Sequence, residues 1–264
     1  MTFFQRNAYR FGCGLATLAW PFFRKRRRIS IENILKGGVT TDLSDAKRIA
    51  RRAFCHFVGH IFEAFAVASV VNKENWREHF DFSEADPGVE EILFGRLDTP
   101  ILIVSGHHGC WEVATNVVSL NRPMIVIVRM MNSKIVQSWL KKHQFRGPVT
   151  MVSRNDGLRE SVLRKWIDKK SALTILTDQH TYGGSLLKFF GRPARTVTSA
   201  ARLAVKHGYP VVCGSFVRVG LFKYRALGSV VTFEKGTDRD VAAQILNDRI
   251  EEAIRKYPEQ YLWM

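Results

Sequence analysis

The sequence predicts an α/β fold with a mostly parallel mixed sheet, covered by helices on both faces, and an N-terminal membrane-associated helical arm. After residue 98, short apolar runs alternate with stretches of helical periodicity, which favours a mostly parallel sheet. The first of these runs lacks polar alternation, as expected of a strand buried on both faces. An apolar segment followed by a basic cluster predicts the arm. We therefore expect an arm over residues 1–43 and an α/β domain over residues 44–264.

Composition supports a folded chain with an anionic partner. The 264 residues are 46% hydrophobic and include 18 Phe, which argues against disorder. The formal net charge of +16 requires nucleic acid, an anionic membrane, or an acidic substrate or carrier. The cysteines have no CxxC or zinc-finger spacing, so a reducing compartment is favoured over a disulfide scaffold. They are Cys13, Cys55, Cys110 and Cys213.

The arm combines an apolar segment, Phe11–Phe23, with the basic cluster Arg24–Arg28. The segment is shorter than the roughly 20 residues of a bilayer span, and no cleavage site of a signal peptide follows it. We expect a helix in the membrane interface, with the cluster on headgroups at the cytoplasmic face. The alternative is a helix packed on the domain with a solvated basic run. The predicted membrane residues are Phe11, Trp20, Phe22, Phe23, Arg24, Lys25, Arg26, Arg27 and Arg28.

The α/β domain begins with a long helix. Ser44 is its expected N-cap, and apolar residues recur at steps of three and four through Phe65. Such a stripe covers a sheet or forms a wall of a pocket for a lipid chain. The following residues, 72–98, are polar and acidic.

Strands and helices then alternate. The predicted strands are Pro100–Val104, Met124–Val128, Val149–Val152, Leu173–Thr177 and Val211–Phe216, with a later pair near Tyr224–Phe233. The predicted helices are Cys110–Leu120, Ser133–Phe145, Gly157–Lys169, Val197–His207 and Asp238–Tyr257.

A histidine and a carboxylate follow the first buried strand. His107 comes at the carboxyl end of Ile101–Val104, where ligands bind in open α/β sheets, and Glu112 opens the next helix. A neutral His107 is suited to act as a general base, and Glu112 to fix its tautomer. The chain has a second His-x4-Glu, His79 to Glu84, but no strand precedes it, so we interpret it as solvated surface.

The other early strands also end in polar residues. Arg129, Arg154, and Asp178 with Gln179 follow the next three strands. Each alone is typical of a surface, but the carboxyl ends of parallel strands meet at one sheet edge. Together with His107 they therefore predict a shared site.

The segment Asp178–Thr198 predicts a functional loop of about 20 residues without a pattern of its own. Arg192 and Arg195 are suited to bind phosphate or an oxyanion. The alternative is a surface loop anchored by the buried Phe189 and Phe190.

Several site types are disfavoured. The chain has no Gly-x-Ser-x-Gly elbow, Walker loop or GxGxxG after a strand. Cys110 as a nucleophile is a weaker interpretation than Cys110 as a small filler. A metal site could be drawn from acidic and histidine residues, but their spacing fits no known ligand pattern. They are His107, His108, Glu112, Asp178 and His180.

Five segments, in order along nearly the whole chain, resemble the lipid A biosynthesis (lauroyl/myristoyl) acyltransferase branch of the lysophospholipid acyltransferase superfamily. HHGCWE resembles its His-x-Gly-Asn-Trp-Glu motif, with Cys110 in place of the usual Asn. The other segments are RRRISIENIL (Arg26–Leu35), VRMMNS (Val128–Ser133), DQ…FFGRPART (from Asp178) and PEQYLW (Pro258–Trp263). Relatives commonly continue beyond the equivalent of Met264 with a tail containing His and Arg.

The resemblance implies a glycerolipid acyltransferase-like fold and a membrane-associated O-acyltransferase at the cytoplasmic face of the bacterial inner membrane. It implies transfer of a fatty acyl group from acyl carrier protein or coenzyme A to a lipid hydroxyl, without a metal, cofactor or covalent acyl-enzyme. His107 and Glu112 are then catalytic. The substrate-binding residues that the resemblance implies are Arg129, Asn132, Arg154, Asp178, Gln179, Arg192 and Arg195.

Partners follow from the same resemblance: anionic membrane lipid, acyl carrier protein and a phosphorylated glycolipid acceptor, with no nucleic acid. Another glycolipid, an aminolipid or a lysophospholipid remains open as the acceptor. A basic nucleic-acid-binding protein is the non-enzyme alternative, although the chain carries no RNP, helix-turn-helix or finger signature.

Overall fold

The structure, a computed structural model, describes residues 2–96, 98–128, 145–179 and 181–264. Its helices are α1 (Phe3–Ala19), α2 (Arg24–Lys36), α3 (Leu43–Val70), α4 (Trp111–Ser119), α5 (Glu160–Asp168), α6 (Ser199–His207) and α7 (Arg239–Lys256). Its strands are β1 (Phe80–Asp81), β2 (Ile101–Ser105), β3 (Met124–Val128), β4 (Val149–Ser153), β5 (Ala172–Leu176), β6 (Ser185–Phe189), β7 (Arg192–Thr196), β8 (Val211–Gly220) and β9 (Lys223–Val231).

Seven strands form one mixed sheet in the order β1-β9-β8-β2-β5-β3-β4. All its pairings are parallel except β8 with β9, so the predicted mostly parallel sheet is confirmed. β2 lies at its centre, where Leu102 pairs with Leu173 of β5 and Val211 of β8. Ile101 and Leu102 are fully buried, which explains why the strand shows no polar alternation.

Helices cover both faces of the sheet, as predicted. One apolar core cluster includes Val67 of α3 and Val117 of α4, and the other includes Trp166 of α5 and Leu246 of α7. α3 contributes to both clusters, because its first half also supplies Ala50 to the second. The core therefore continues along both faces of the sheet with α3 as a common wall.

The cap of α3 differs from the prediction. Asp42 caps the helix by accepting the Asp45 N–H at 2.7 Å, and Ser44 lies inside the first turn. The helix has the length and composition of a membrane span, but 56% of its apolar window is buried inside the protein. A core helix of a soluble protein has the same property, so α3 alone does not indicate a span.

The N-terminal helices pack on α3 rather than standing apart. Gly12 of α1 lies against Gly59 of α3 so closely that a Cβ on Gly12 would be 2.8 Å from the Gly59 Cα. Trp20 packs on Phe54 with ring centroids 5.2 Å apart. The division into a 1–43 arm and a 44–264 domain stays a prediction about function.

Two predicted features are wrong. Residues 178–198 are not a patternless loop, since β6 and β7 pair antiparallel through a turn at Phe190 and Gly191. Both turn residues have positive φ, as in the type I′ turn of a two-residue hairpin. The pair of strands expected near Tyr224–Phe233 is one strand, β9, which pairs with β8. The helix predicted over Ser133–Phe145 lies outside the described residues except for its last position.

Candidate active site

The HHGCWE segment forms a sharp turn between β2 and α4. Gly109 has φ +67°, and a side chain there would collide with the Phe216 carbonyl of β8, so the position requires glycine. The Cys110 N–H then donates to that carbonyl at 2.7 Å. The C-terminal segment supports the same turn, because the Leu262 N–H donates to the His107 carbonyl at 3.0 Å. The resemblance motifs at 107–112 and 258–263 are therefore in contact.

His107 is oriented by Asp178. The Asp178 carboxylate accepts the His107 backbone N–H at 2.7 Å and bonds the ring Nδ1 at 2.9 Å. Asp178 follows β5, which is the neighbour of β2, so the parallel pairing brings two residues 71 positions apart into contact. The predicted partner of His107 is therefore corrected from Glu112 to Asp178, and both Asp178 oxygens are used in orientation.

This pairing fixes the proton on His107. Because a carboxylate only accepts, Nδ1 carries the hydrogen and Nε2 keeps its lone pair. The imidazole side chain is 20% exposed, whereas Asp178 is 3% exposed. Burial lowers the pKa of His107, but the hydrogen bond and charge of Asp178, and the charge of Glu112, outweigh it and raise the pKa above 6.5. The Gln179 side-chain amide lies 3.4 Å from Nε2, where its N–H can donate to the lone pair.

Glu112 pairs with a histidine that the sequence did not single out. His60 of α3, whose side chain is fully buried, lies with Nε2 2.7 Å from the Glu112 carboxylate. Its Nδ1 faces the His56 carbonyl at 3.2 Å. Glu112 thus joins α4 to α3 through His60, whose other ring nitrogen contacts a carbonyl of its own helix.

Trp111 separates the two pairs. Its ring centroid lies 4.3 Å from that of His60 and 5.3 Å from that of His107. Glu112 occupies the first turn of α4 and extends toward α3, away from His107 Nδ1. The only sequence signal for His60 is its place, with His56 and Glu63, among the apolar residues of the buried face of α3.

Two further histidines brace the turn as neutral donors. Burial lowers the pKa of His108 to about 4, and its Nε2 donates to the Tyr257 carbonyl at 3.1 Å. Burial also lowers the pKa of His56 well below 6.5, and its Nε2 donates to the Gly109 carbonyl at 3.0 Å. Each ring is neutral and already donates its Nε2–H to a carbonyl, so neither histidine is available as a general acid.

Cys110 has the environment of a structural residue. It is fully buried, and this burial, before all other causes, raises the pKa of its thiol well above 9. The Sγ atom lies 4.0 Å from His56 Nε2, which donates elsewhere. A thiol held neutral inside the core is a poor nucleophile.

The remaining predicted binding residues are placed differently. Arg154 is exposed at the end of β4, three strand positions from β2 and hence roughly 14 Å away. Arg192 and Arg195 are exposed on the β6–β7 hairpin, where Arg195 donates to the Gly184 carbonyl at 3.2 Å. Arg129 and Asn132 lie outside the described residues.

The hairpin is tied to α7 and to the C-terminal segment. The Phe190 N–H donates to Glu251 at 2.5 Å, and its ring packs 5.3 Å from that of Trp263. The Trp263 carbonyl accepts from the Asn33 amide of α2 at 3.0 Å. The resemblance motifs at 26–35 and 178–196 thus both contact the third, at 258–263.

A narrow apolar cavity of about 50 Å³ lies behind the turn. It is lined by Ile103, Trp111, Val118, Leu176 and Phe216 among others, and by the buried His108. Within the ranges that the structure describes, no group of three or more His, Cys, Asp or Glu is arranged to hold a metal ion.

The N-terminal helices expose apolar and basic side chains together. Phe22 is 84% exposed and Leu18 73%, with Phe3, Phe4, Phe11 and Phe23 also exposed. Arg24–Arg28 occupy the start of α2, where the helix dipole disfavours cations and the first turn has no acidic residue, although Arg28 pairs with Glu32 at 3.6 Å. Trp20 is half-buried against Phe54, so it belongs partly to the core.

Comparison with known proteins gives a consistent family. The profile described as bacterial lipid A biosynthesis acyltransferase matches residues 3–264. A lipid A biosynthesis palmitoleoyltransferase of Escherichia coli (strain K12) is 23% identical over 96% of this chain and 82% of its own length. A lipid A biosynthesis acyltransferase of Shigella flexneri shows the same identity and coverage.

Proposed function

The chain belongs to the bacterial lipid A biosynthesis acyltransferase family and is an acyltransferase, and we propose that it transfers a fatty acyl chain from a thioester to a hydroxyl of a lipid A precursor or a related lipid. The observation that carries the proposal is the His107–Asp178 pair. It leaves one imidazole nitrogen, Nε2, unprotonated and accessible at the carboxyl end of the central strand.

The pair supports a direct transfer. His107 Nε2 takes the proton of the acceptor hydroxyl as its oxygen attacks the thioester carbonyl. The raised pKa of His107 favours this uptake, and Asp178 stabilises the imidazolium that forms. When the tetrahedral oxyanion collapses, the carbon–sulfur bond breaks and Nε2 returns its proton to the leaving thiolate.

The oxyanion needs hydrogen-bond donors near His107. α4 begins at Trp111, and the first N–H groups of a helix have no carbonyl partner within that helix. These groups, or Arg129, are the proposed donors. Glu112 contributes through its charge near His107 and through its pair with His60.

The donor is acyl carrier protein or coenzyme A, as a co-substrate and not a resident cofactor. Both are acidic, and the net charge of +16 favours their approach. The apolar cavity beside Trp111 extends from the turn into the core, where it suits the start of an acyl chain. A volume of about 50 Å³ holds only a short part of a chain, so the cavity must widen on binding.

We place the enzyme at the cytoplasmic face of the inner membrane. The exposed Phe residues of α1 give insertion that salt does not weaken, and Arg24–Arg28 give attraction of roughly 1 kcal/mol per charge near anionic lipid. Arg154, Gln179, Arg192 and Arg195 stay proposed contacts to the substrates.

The test uses purified full-length protein in detergent micelles with an acyl carrier protein thioester and a phosphorylated glycolipid acceptor. Mass spectrometry should show one added acyl group on the acceptor and none on the protein. Chelator should leave the rate unchanged. Tight binding of DNA at moderate salt, together with failure to bind anionic vesicles, would instead favour the nucleic-acid-binding alternative.

A further inference from the structure

A large basic cavity lies on the far side of the HHGCWE turn. It has a volume of about 990 Å³, is partly open to solvent, and is lined by residues of α1, α2, α3 and the turn at Pro258–Gln260. Five cationic side chains line it: Arg27, Lys47, Arg48, Arg51 and Arg52. No part of the proposed transfer step uses these residues.

The positively charged side chains that line this cavity repel one another. Lys47 and Arg51, and likewise Arg48 and Arg52, stand four residues apart on α3, where like charges destabilise a helix. Glu259 is the acidic residue of the lining. Across the described ranges, Arg48 alone among the five forms an ion pair, with Asp45 at 2.8 Å. A bound anion would offset this surplus of positive charge.

The position of the cavity indicates the kind of anion. Thr17 and Trp20 form part of its wall, and they belong to the segment that exposes Leu18, Phe22 and Phe23. If that apolar edge enters a bilayer, the cations beside it lie at the depth of the headgroups. The charged groups at that depth are lipid phosphates.

Two residues of the cavity wall also contact the HHGCWE turn. His56 lines it and donates to the Gly109 carbonyl at 3.0 Å. Gln260 lines it too, and its backbone carbonyl accepts the Gly109 N–H at 2.9 Å. A ligand held there is separated from the loop of His107 by these two residues.

We propose that the cavity binds the phosphate group of a membrane lipid headgroup through Arg27, Lys47, Arg48, Arg51 and Arg52. The proposal rests on the proposed function for its membrane placement. Its ligand is a phosphate monoester or diester, carried either by the sugar of the acceptor or by a bulk phospholipid. Arg51 and Arg52 are adjacent on α3 and supply two of the five charges without a carboxylate partner within the described residues.

Direct binding tests the proposal without measuring acyl transfer. The full chain in nonionic detergent is titrated calorimetrically with glucosamine 1-phosphate and with dihexanoyl phosphatidic acid. The Arg51→Gln/Arg52→Gln variant should bind about tenfold or more weakly than the parent, since each cation near a lipid phosphate contributes roughly fivefold in affinity. Arg202→Gln/Lys206→Gln on α6 removes the same charge outside the cavity and should bind like the parent.

The two probes identify the source of the phosphate. Binding of glucosamine 1-phosphate that the Arg51→Gln/Arg52→Gln change weakens supports the cavity as a subsite for the acceptor sugar. Binding of phosphatidic acid alone with the same loss supports a bulk phospholipid. Failure of both probes to bind the parent, or equal loss in both double variants, overturns the proposal. These binding results test the cavity even if the parent shows no acyl transfer, so failure of this proposal is distinguishable from failure of the proposed function.

Discussion

Two histidine–carboxylate pairs flank Trp111, and they differ in whether the histidine can exchange a proton with a bound molecule. His107 is 20% exposed and its Nε2 keeps a lone pair beside the Gln179 amide, whereas His60 is fully buried with its nitrogens facing the Glu112 carboxylate and the His56 carbonyl. The first pair can therefore exchange a proton with a bound molecule. The imidazole of the second pair is closed off from solvent, and its hydrogen bond to Glu112 joins α3 to α4.

The comparison teaches that a histidine beside a carboxylate is not by itself a catalytic base. The free nitrogen and its access decide the role, because the hydrogen bonds at both pairs are similarly short, 2.9 Å and 2.7 Å. The pairs also act on each other, since the charge of Glu112 adds to that of Asp178 in raising the pKa of His107.

The largest expected effect is that of removing the free nitrogen. His107→Ala should lower kcat about 10³-fold, because it removes the base that takes the acceptor proton. The rate of acyl transfer by purified protein is the measurement. His79→Ala, in the second His-x4-Glu, is the matched control and should keep the parental rate per folded molecule. His79 Nδ1 donates to the Phe222 carbonyl at 2.8 Å, a contact outside the candidate site. Parental activity in His107→Ala would sink the mechanism.

Asp178→Asn should lower kcat about 10²-fold and move the pH profile. Because the base must be neutral and its pKa is raised, activity in the parent should fall as the pH drops through a value above 6.5. Removing the Asp178 charge lowers that pKa, so the acid limb of kcat/KM should move to lower pH. A larger shift in Glu112→Gln than in Asp178→Asn would return the role of orienting His107 to Glu112.

Glu112→Ala tests the buried pair, with a smaller effect on rate and a clear effect on stability. It leaves His60 buried without its partner, which should cost about 3 kcal/mol of unfolding free energy. The folded fraction should lose activity about tenfold as Trp111 and the nearby charge change. Denaturant unfolding of Glu112→Ala, His60→Ala and the double variant measures the coupling. Additive losses would show that the two side chains do not form a pair in solution.

The smallest expected effect is at Cys110, which lies between the pairs in sequence. Cys110→Ala should retain most activity, because the thiol is buried with a raised pKa and takes no part in proton transfer. Intact-protein mass spectrometry during turnover should find no acyl adduct. An acyl group trapped on Cys110 would replace the single-step transfer with a covalent one.

The strands and helices could largely be predicted from local patterns. β3 is found at the predicted Met124–Val128, and α4, α6 and α7 lie within two residues of the predicted ends. Buried strands and amphipathic helices are encoded by neighbouring residues, so periodicity finds them. The β6–β7 hairpin was missed because its strands are short and half-exposed, and its turn is Phe190-Gly191 rather than a common turn pair.

The sequence by itself determined that His107 stands at the end of a buried strand in an α/β sheet, since both facts follow from local periodicity. The tertiary structure alone decided its partner. Asp178 is 71 residues away and reaches His107 because β5 pairs with β2, and His60 reaches Glu112 across 52 residues because α3 packs against α4. Spacing along the chain placed Glu112 near His107. Strand order and the turn at Gly109 directed the two side chains apart, because contacts at long sequence separation depend on the whole packed fold.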